Sequence, residues 1–305
     1  MKSKRMPIRI GTAPVSWGIM EIETTWGRTQ TFDSVLNEMV SAGYRGTELG
    51  PWSFFPTDPK RLMTELSRRE MCLIGAFVPI QLADPERYSM GRESAIRTAR
   101  LLAECGAPVL VLADAMYECR MAVAGRVVEQ TVGLDDRTWT SATKLLETIA
   151  ADVKALGLQT VFHHHAGTHV ETPSEIEHLL STTDPSLLGL CLDTGHYLYG
   201  GGDPVEAAKR HASRIWHLHL KDVRGGILDR VRKEQIGFLD AVSQGVFCPL
   251  GDGAVDIVGV VRALGERGYK GWAVFEQDVD PTKPGVLPKE SAAASREYLR
   301  KVVAL

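Results

Sequence analysis

A chain of 305 residues with 44% hydrophobic side chains can bury a full core, either as one large α/β barrel or as two medium domains. Its 35 basic and 38 acidic side chains leave a net charge of -3 with no basic block of the kind that tracks a phosphate backbone, which argues against a nucleic-acid partner. No apolar span of ~18 residues occurs, the basic start at residues 1–7 is not followed by an apolar stretch, and the five cysteines lack Cys-x-x-Cys spacing; a cytoplasmic protein with no membrane partner is expected.

Short β-rich runs alternate with longer amphipathic ones. A strand at Ile8–Ala13 is followed by a helix over Phe32–Ala42, stopped by Gly43, and a second strand at Arg45–Leu49. Asp58-Pro59 places an N-cap oxygen before a first-turn proline, ahead of a third strand at Cys72–Val78. A helix over Ile96–Cys105, stopped by Gly106, leads to the fourth strand at Pro108–Ala113. After a long segment at 115–138 comes a helix over Ala142–Leu156, in which Leu145, Leu146, Ile149, Val153 and Leu156 line one face and Gly157 supplies the stop. The fifth strand is Leu158–His163 and the sixth Leu188–Asp193, with helix starts at Thr172-Pro173-Ser174-Glu175 and Asp203-Pro204-Val205-Glu206 that add a capping-box glutamate. The seventh strand, Arg214–Leu220, precedes a second long segment at 222–253 with a predicted helix over Lys233–Gln244; a helix over Ile257–Arg267, stopped by Gly268, and an eighth strand at Trp272–Glu276 complete the pattern.

Eight βα units without linker composition between them predict a single (β/α)8 TIM barrel over residues 1–305, with its chemistry at the carboxyl ends of the strands and the two long segments over the mouth. A doubly wound sheet is the alternative, although no Gly-x-Gly-x-x-Gly follows the first strand. The five cysteines read as small buried apolar residues.

All nine histidines fall between His163 and His219, and imidazole is both the commonest transition-metal ligand and the usual proton carrier near neutral pH. The fifth strand closes on His163-His164-His165-Ala166-Gly167, the sixth on Asp193-Thr194-Gly195-His196, the seventh on His217-Leu218-His219-Leu220-Lys221-Asp222 and the eighth on Glu276. Alternate strand residues share a face, which pairs His163 with His165 and His217 with His219. A site of His163, Asp193, His219 and Glu276 offers two nitrogens and two carboxylates, a set that suits Mn²⁺, Co²⁺, Fe²⁺ or Zn²⁺ better than Mg²⁺ or Ca²⁺ and neutralises a dication. Carboxylates such as Asp193 and Glu276 at the ends of apolar runs need a partner or a cation. His164, His217, His169, His178 and His211 read as core or rim residues, while Lys221-Asp222 is either an ion pair or a substrate contact, and Glu48 either a buried ion pair or a substrate ligand. Trp17, Trp52, Phe54, Phe55 and Phe77 either wall a pocket or pack the core, and Gly251-Asp252-Gly253 is a tight turn.

At these residues the chain resembles the xylose-isomerase-like barrels, through Thr12-Ala13-Pro14-Val15-Ser16-Trp17, Gly46-Thr47-Glu48-Leu49-Gly50, the strand-five to strand-seven motifs above, Pro249-Leu250-Gly251-Asp252-Gly253 and Gly271-Trp272 through Glu276. In related barrels the strand-five ligand is commonly a glutamate, and His163 stands at the similar position. The resemblance implies a divalent metal, Mn²⁺ or Co²⁺, a small-molecule polyol ketone or keto-sugar substrate, and chemistry that begins with removal of a proton next to a carbonyl. The expected activity is a metal-dependent lyase dehydrating a keto-cyclitol such as scyllo-inosose, with His165, His196, Glu48 and Lys221 in the polar catalytic roles. An isomerase or epimerase, a lyase cleaving 3-keto-glycosides, a non-catalytic sugar-binding barrel and a phosphodiester-cleaving barrel are the alternatives, and a homo-oligomer is compatible with each. Two stretches depart from the dehydratase pattern, Gly18-Ile19-Met20-Glu21 and Asp114-Ala115-Met116-Tyr117-Glu118, and both would border the substrate.

Overall fold

Every predicted barrel strand forms within two residues of its expected ends: β1 (Arg9–Thr12), β2 (Gly46–Glu48), β3 (Cys72–Ile80), β4 (Val109–Asp114), β5 (Gln159–His163), β6 (Leu188–Asp193), β7 (Ile215–Leu220) and, after the two-residue strands β8 (Asp222–Val223) and β9 (Phe247–Cys248), β10 (Trp272–Phe275). In the computed structural model, which describes residues 8–303 except 23, 25, 28 and 29 and only the backbone of 129 and 130, the eight long strands close into a parallel barrel in the order β1-β10-β7-β6-β5-β4-β3-β2. The basic stretch at residues 1–7 lies outside the described residues. No helix among the described residues is long and apolar enough to cross a membrane.

All six positions of β4 and all six of β6 are buried, because a barrel strand packs one face on the interior and the other on the surrounding helices. Outward side chains join the helices in one large core, while Ile74, Val109, Val111, Val161, Cys191 and Val274 plug the interior. Two residues further along three of these strands the inward position turns ionisable: His163 follows Val161, Asp193 follows Cys191, and Glu276 follows Val274. Asp193 and His219 are register partners across β6 and β7.

Helix starts marked in the sequence behave as marked. Asp58 accepts the Arg61 N–H, and Thr172 with Glu175 forms a complete capping box. Asp203 accepts from Val205 and Glu206, whereas the Glu206 side chain pairs with Lys209. Two helices begin earlier than the apolar pattern predicts, Tyr88–Glu104 and Asp136–Ala155, because their first turns are largely polar and exposed and the apolar stripe starts later. The predicted helix over Lys233–Gln244 is instead two, Gly225–Glu234 and Phe238–Ser243, broken where Gln235 takes a left-handed φ of 56° and Gly237 becomes an N-cap. The 115–138 segment holds the short helices Glu118–Val123 and Glu129–Val132. Cys105, Cys191 and Cys248 are buried as expected, but Cys72 and Cys119 are exposed, and all five are free thiols.

Asp222, placed beside Lys221 in the sequence, does not pair with it. Consecutive residues of an extended chain point to opposite faces. The Asp222 carboxylate instead accepts the N–H groups of Val223 (2.8 Å), Gly251 (2.9 Å), Gly253 (3.1 Å) and Val255 (3.0 Å), and the predicted Gly251-Asp252-Gly253 turn wraps around it. Gly251 has φ of 94°, and a side chain at Gly253 would collide with the carboxylate. Asp222→Ala leaves these donors without acceptors and is expected to cost at least about 3 kcal/mol. The measurement is the urea-unfolding midpoint, and an unchanged midpoint would show that the turn is held by other contacts.

Candidate active site

The carboxyl ends of β5, β6, β7 and β10 bring His163, Asp193, His219 and Glu276 together. His163 Nε2 lies 3.4 Å from Asp193 Oδ2, and His219 Nδ1 lies 3.1 Å from Glu276 Oε2 and 3.9 Å from Asp193 Oδ2. One ligand atom from each falls within 4.8 Å of all the others, and all four residues are buried. An ion bound at about 2.0–2.2 Å to each requires separations of roughly 3–4.4 Å, and the three distances above, 3.1, 3.4 and 3.9 Å, fall in that range. His219 Nδ1 and His163 Nδ1 are buried with no hydrogen-bond partner, a costly state that a ligand would relieve at His219.

The carboxylate of Glu48, from β2, accepts from both His217 Nε2 (2.8 Å) and His219 Nε2 (3.0 Å). A neutral imidazole carries one N–H, so a proton on His219 Nε2 leaves the Nδ1 lone pair facing Asp193 and Glu276. Burial opposes ionisation of Glu48, but His219 and His217 outweigh it and hold its carboxyl below the usual range. Burial likewise opposes a charged His219, yet Cys191, Glu276 and Glu48 raise its pKa well above 6.5: the pocket attracts positive charge at this point. Asp193 is steadied by its neighbours, its Oδ1 accepting the His196 N–H at 2.8 Å and its own N–H meeting His164 Nε2 at 3.2 Å.

Beside the four lies a second group. The Lys221 ammonium donates to Asp278 Oδ1 at 2.7 Å and to His196 Nε2 at 2.9 Å, and it stands 3.4 Å from both Asp193 Oδ2 and Glu276 Oε2. Burial would lower the Lys221 pKa, but Asp193, Asp278 and Glu276 reverse this and raise it, so the side chain stays charged. The His165 ring lies 3.7 Å from that of His196, and its Nδ1 is 2.7 Å from the Ala166 carbonyl. Burial, His163 and Lys221 push the His165 pKa well below 6.5; burial, His165 and Lys221 do the same to His196. The 222–253 segment supplies Phe238, 5.4 Å from the His165 ring, and Phe247, 5.2 Å from the His196 ring.

Asp278 escaped the sequence reading. It stands two residues past Glu276, where the period-two alternation continues beyond the end of β10, and that spacing was the available signal. Glu171 was also missed: its carboxylate accepts the N–H of Gly167 (2.7 Å) and of Gly125 (2.6 Å), tying the turn after His165 to the 115–138 segment. Arg120 and Glu175 form a buried ion pair behind that tie.

His163, His165, Glu48, Lys221, Glu276 and Asp278 line a cavity of about 270 Å³; His196 lies behind Lys221, fully enclosed. A wider groove of about 910 Å³ between Trp52 and Asp152 on the helical layer is lined by Trp52 of the early aromatics but by none of the candidate metal or catalytic residues. Met20, Glu21, Asp114, Ala115 and Met116, from the two stretches that depart from the dehydratase pattern, all border the 270 Å³ cavity. Glu21 keeps some exposure to this space while the protein around it, with Glu276 and Glu48 adding repulsion, pushes its carboxyl up to about 8. Of the five early aromatics only Phe77 lines the cavity, edge-on to His163; Trp17 is buried and donates to Glu38 at 2.7 Å, Phe54 and Phe55 pack together in the core, and Trp52 lies under Arg97. His169 pairs with Asp114, His178 packs on Trp139 and His211 faces Glu177, the structural places expected of them.

Residues 36–302 match the xylose isomerase-like TIM barrel family. The chain is 36% identical to an inosose dehydratase of Geobacillus kaustophilus over 97% of its length and 95% of the relative's, and 34% identical to one of Lacticaseibacillus casei over 96% and 97%. The crystal structure of the IolI protein, solved with a zinc atom, superposes with a TM-score of 0.72 at 14% identity over 97% of this chain and 98% of that one, which reflects the shared fold. The chain belongs to the xylose-isomerase-like TIM-barrel family, among its inosose dehydratase-like members.

Proposed function

We propose that the protein is a divalent-metal-dependent hydro-lyase that removes water from a keto-cyclitol such as scyllo-inosose. The convergence of His163, Asp193, His219 and Glu276 beside a small cavity into which His165, Lys221 and Asp278 also reach carries this reading, and similarity to inosose dehydratases along nearly the full chain supports it. These four residues would hold Mn²⁺ or Co²⁺, which supplies a Lewis acid that polarises the substrate carbonyl and lowers the pKa of the adjacent C–H.

His165 is assigned as the base. Its Nδ1–H is committed to the Ala166 carbonyl, so Nε2 carries the lone pair, and its depressed pKa keeps it unprotonated at neutral pH. Lys221, the charged donor on the cavity wall, gives a proton to the departing β-hydroxyl as the α-proton passes to His165; water leaves, and the two side chains reset by exchange with solvent. His196 orients the ammonium, and Glu48 fixes the tautomer of His219. The positive charge of Lys221 beside His165 also disfavours protonation of the base before substrate arrives.

Chelator-stripped protein is expected to be inert toward scyllo-inosose and to recover with added Mn²⁺ or Co²⁺, yielding a product that lacks one hydroxyl by NMR. Asp193→Asn or Glu276→Gln lowers kcat/KM about 10³-fold. Turnover in a sample shown to be metal-free by elemental analysis would refute the mechanism, and a product retaining every hydroxyl would make the enzyme an epimerase.

His165→Ala is expected to lower kcat by about 10²–10⁴-fold. Because the base must be unprotonated and its pKa is shifted downward, the acid limb of the wild-type kcat/KM profile lies below pH 6.5, with activity lost only as pH falls through the lowered value. A limb at or above 6.5 would remove His165 from the role.

A further inference from the structure

Two clusters of histidine and carboxylate side chains lie side by side at the barrel mouth: His163, Asp193, His219 and Glu276 form the first, and His165, His196 and Asp278 the second. The Lys221 ammonium sits between them. It is 2.7 Å from Asp278 Oδ1 and 2.9 Å from His196 Nε2 on one side, and 3.4 Å from Asp193 Oδ2 and from Glu276 Oε2 on the other. Those last two oxygens are the ones that approach the histidines of the first cluster, Asp193 Oδ2 facing His163 Nε2 at 3.4 Å and Glu276 Oε2 facing His219 Nδ1 at 3.1 Å. A lysine ammonium and a dication at such range repel each other and seek the same two carboxylates.

We propose that Asp278 is a positioning residue that keeps the Lys221 ammonium out of the dication's place, so that metal affinity is set by a division of positive charge between the two clusters. This inference rests on the reading of His163, Asp193, His219 and Glu276 as the metal site. Among the groups within 3.5 Å of the ammonium, Asp278 is the one anion that is not also a proposed metal ligand. Its Oδ2 is buried without a hydrogen-bond partner, so the carboxylate is tied to its place mainly through the lysine. The lysine stem is held from behind, since a Cβ at Gly195 would lie 2.7 Å from Lys221 Cγ, and the Phe247 ring closes over the head at 5.2 Å. With the stem fixed, the head group has two resting places, toward Asp278 or toward Asp193 and Glu276, and the charge at Asp278 selects the first. The second cluster is thereby filled by an ammonium rather than by a second metal ion.

The test is Mn²⁺ affinity, measured by competition with a chelating dye on the full chain, for wild type, Asp278→Asn, Lys221→Met and the double variant. Asp278→Asn is expected to weaken binding by about thirty-fold or more where Lys221 is present, but by only about three-fold alongside Lys221→Met, the remainder being loss of Asp278's own charge. Lys221→Met alone, which leaves Asp278 intact and so covers the case in which Asp278→Asn fails to fold, tightens Mn²⁺ about ten-fold. Equal penalties for Asp278→Asn in the two backgrounds, or no tightening in Lys221→Met, overturn the proposal while leaving the metal site in place. Failure of the wild-type protein to retain Mn²⁺ overturns the metal site and this inference together.

Discussion

Carboxylates buried side by side need positive charge between them, and the mouth of this barrel is arranged around that requirement. Glu48, Asp193, Glu276 and Asp278 all end up buried above the apolar plug, drawn from strands far apart in sequence. Each is answered by a different device. Glu48 takes two imidazole N–H groups, Asp278 takes an ammonium, and Asp193 and Glu276 face the His163 and His219 nitrogens with charge to spare. A dication fits the pair left with the least compensation, and His219 Nδ1, buried without a hydrogen-bond partner, faces the same two carboxylates.

The proton inventory follows from that charge pattern. Where a carboxylate sits behind an imidazole, as Glu48 does behind His219, the ring keeps its proton on the far nitrogen and offers a lone pair forward. Where a backbone carbonyl does the same job, as at His165, burial with His163 and Lys221 nearby outweighs the pull of Asp193 and drives the ring neutral. His219, at a proposed ligand position on β7, and His165, two residues past His163 of β5, thus differ in tautomer and charge through their hydrogen-bond partners together with burial and the neighbouring charges. Phe238 and Phe247 press against the second group and lower the local dielectric, which strengthens both effects.

Most of the barrel was legible because its strands are short, nearly continuous apolar runs that alternate with amphipathic helical segments, and several, such as Leu188–Asp193, close on an ionisable residue. The four proposed ligands were legible for the same reason: each is the first ionisable inward position after the plug, or its register partner. Asp278 was not, because it lies past the β-rich run, where side-chain alternation persists into the loop without an apolar pattern to mark it. Of the two readings of Lys221-Asp222 the ion pair fails, because opposite-facing neighbours do not pair; Asp222 instead takes the N–H of Val223 and three backbone donors from a turn some thirty residues on. Contacts of that span carry no local periodicity, and neither does the Glu171 tie across 46 residues to Gly125.

The division between strand ends and loops also separates chemistry from selectivity. The groups proposed to hold metal, accept and donate protons stand on β2, β5, β6 and β7 or immediately after β5, β7 and β10, placed by the strand ladder of the barrel. The cavity's opposite wall comes from Met20 and Glu21 after β1 and from Ala115 and Met116 after β4, the two stretches where the chain departs from the dehydratase pattern. Loops tolerate replacement without disturbing the barrel, so the ring that enters can change while proton removal stays the same. Glu21 is the point where the two halves meet: it is loop-borne, yet burial by the surrounding protein, with repulsion from Glu276, Glu48 and Asp278, pushes its carboxyl up to about 8, so a neutral carboxyl able to donate a hydrogen bond faces the cavity near neutral pH. A polyol hydroxyl satisfies such a donor, whereas an apolar ring would leave it unpaired at a cost of about 1–3 kcal/mol.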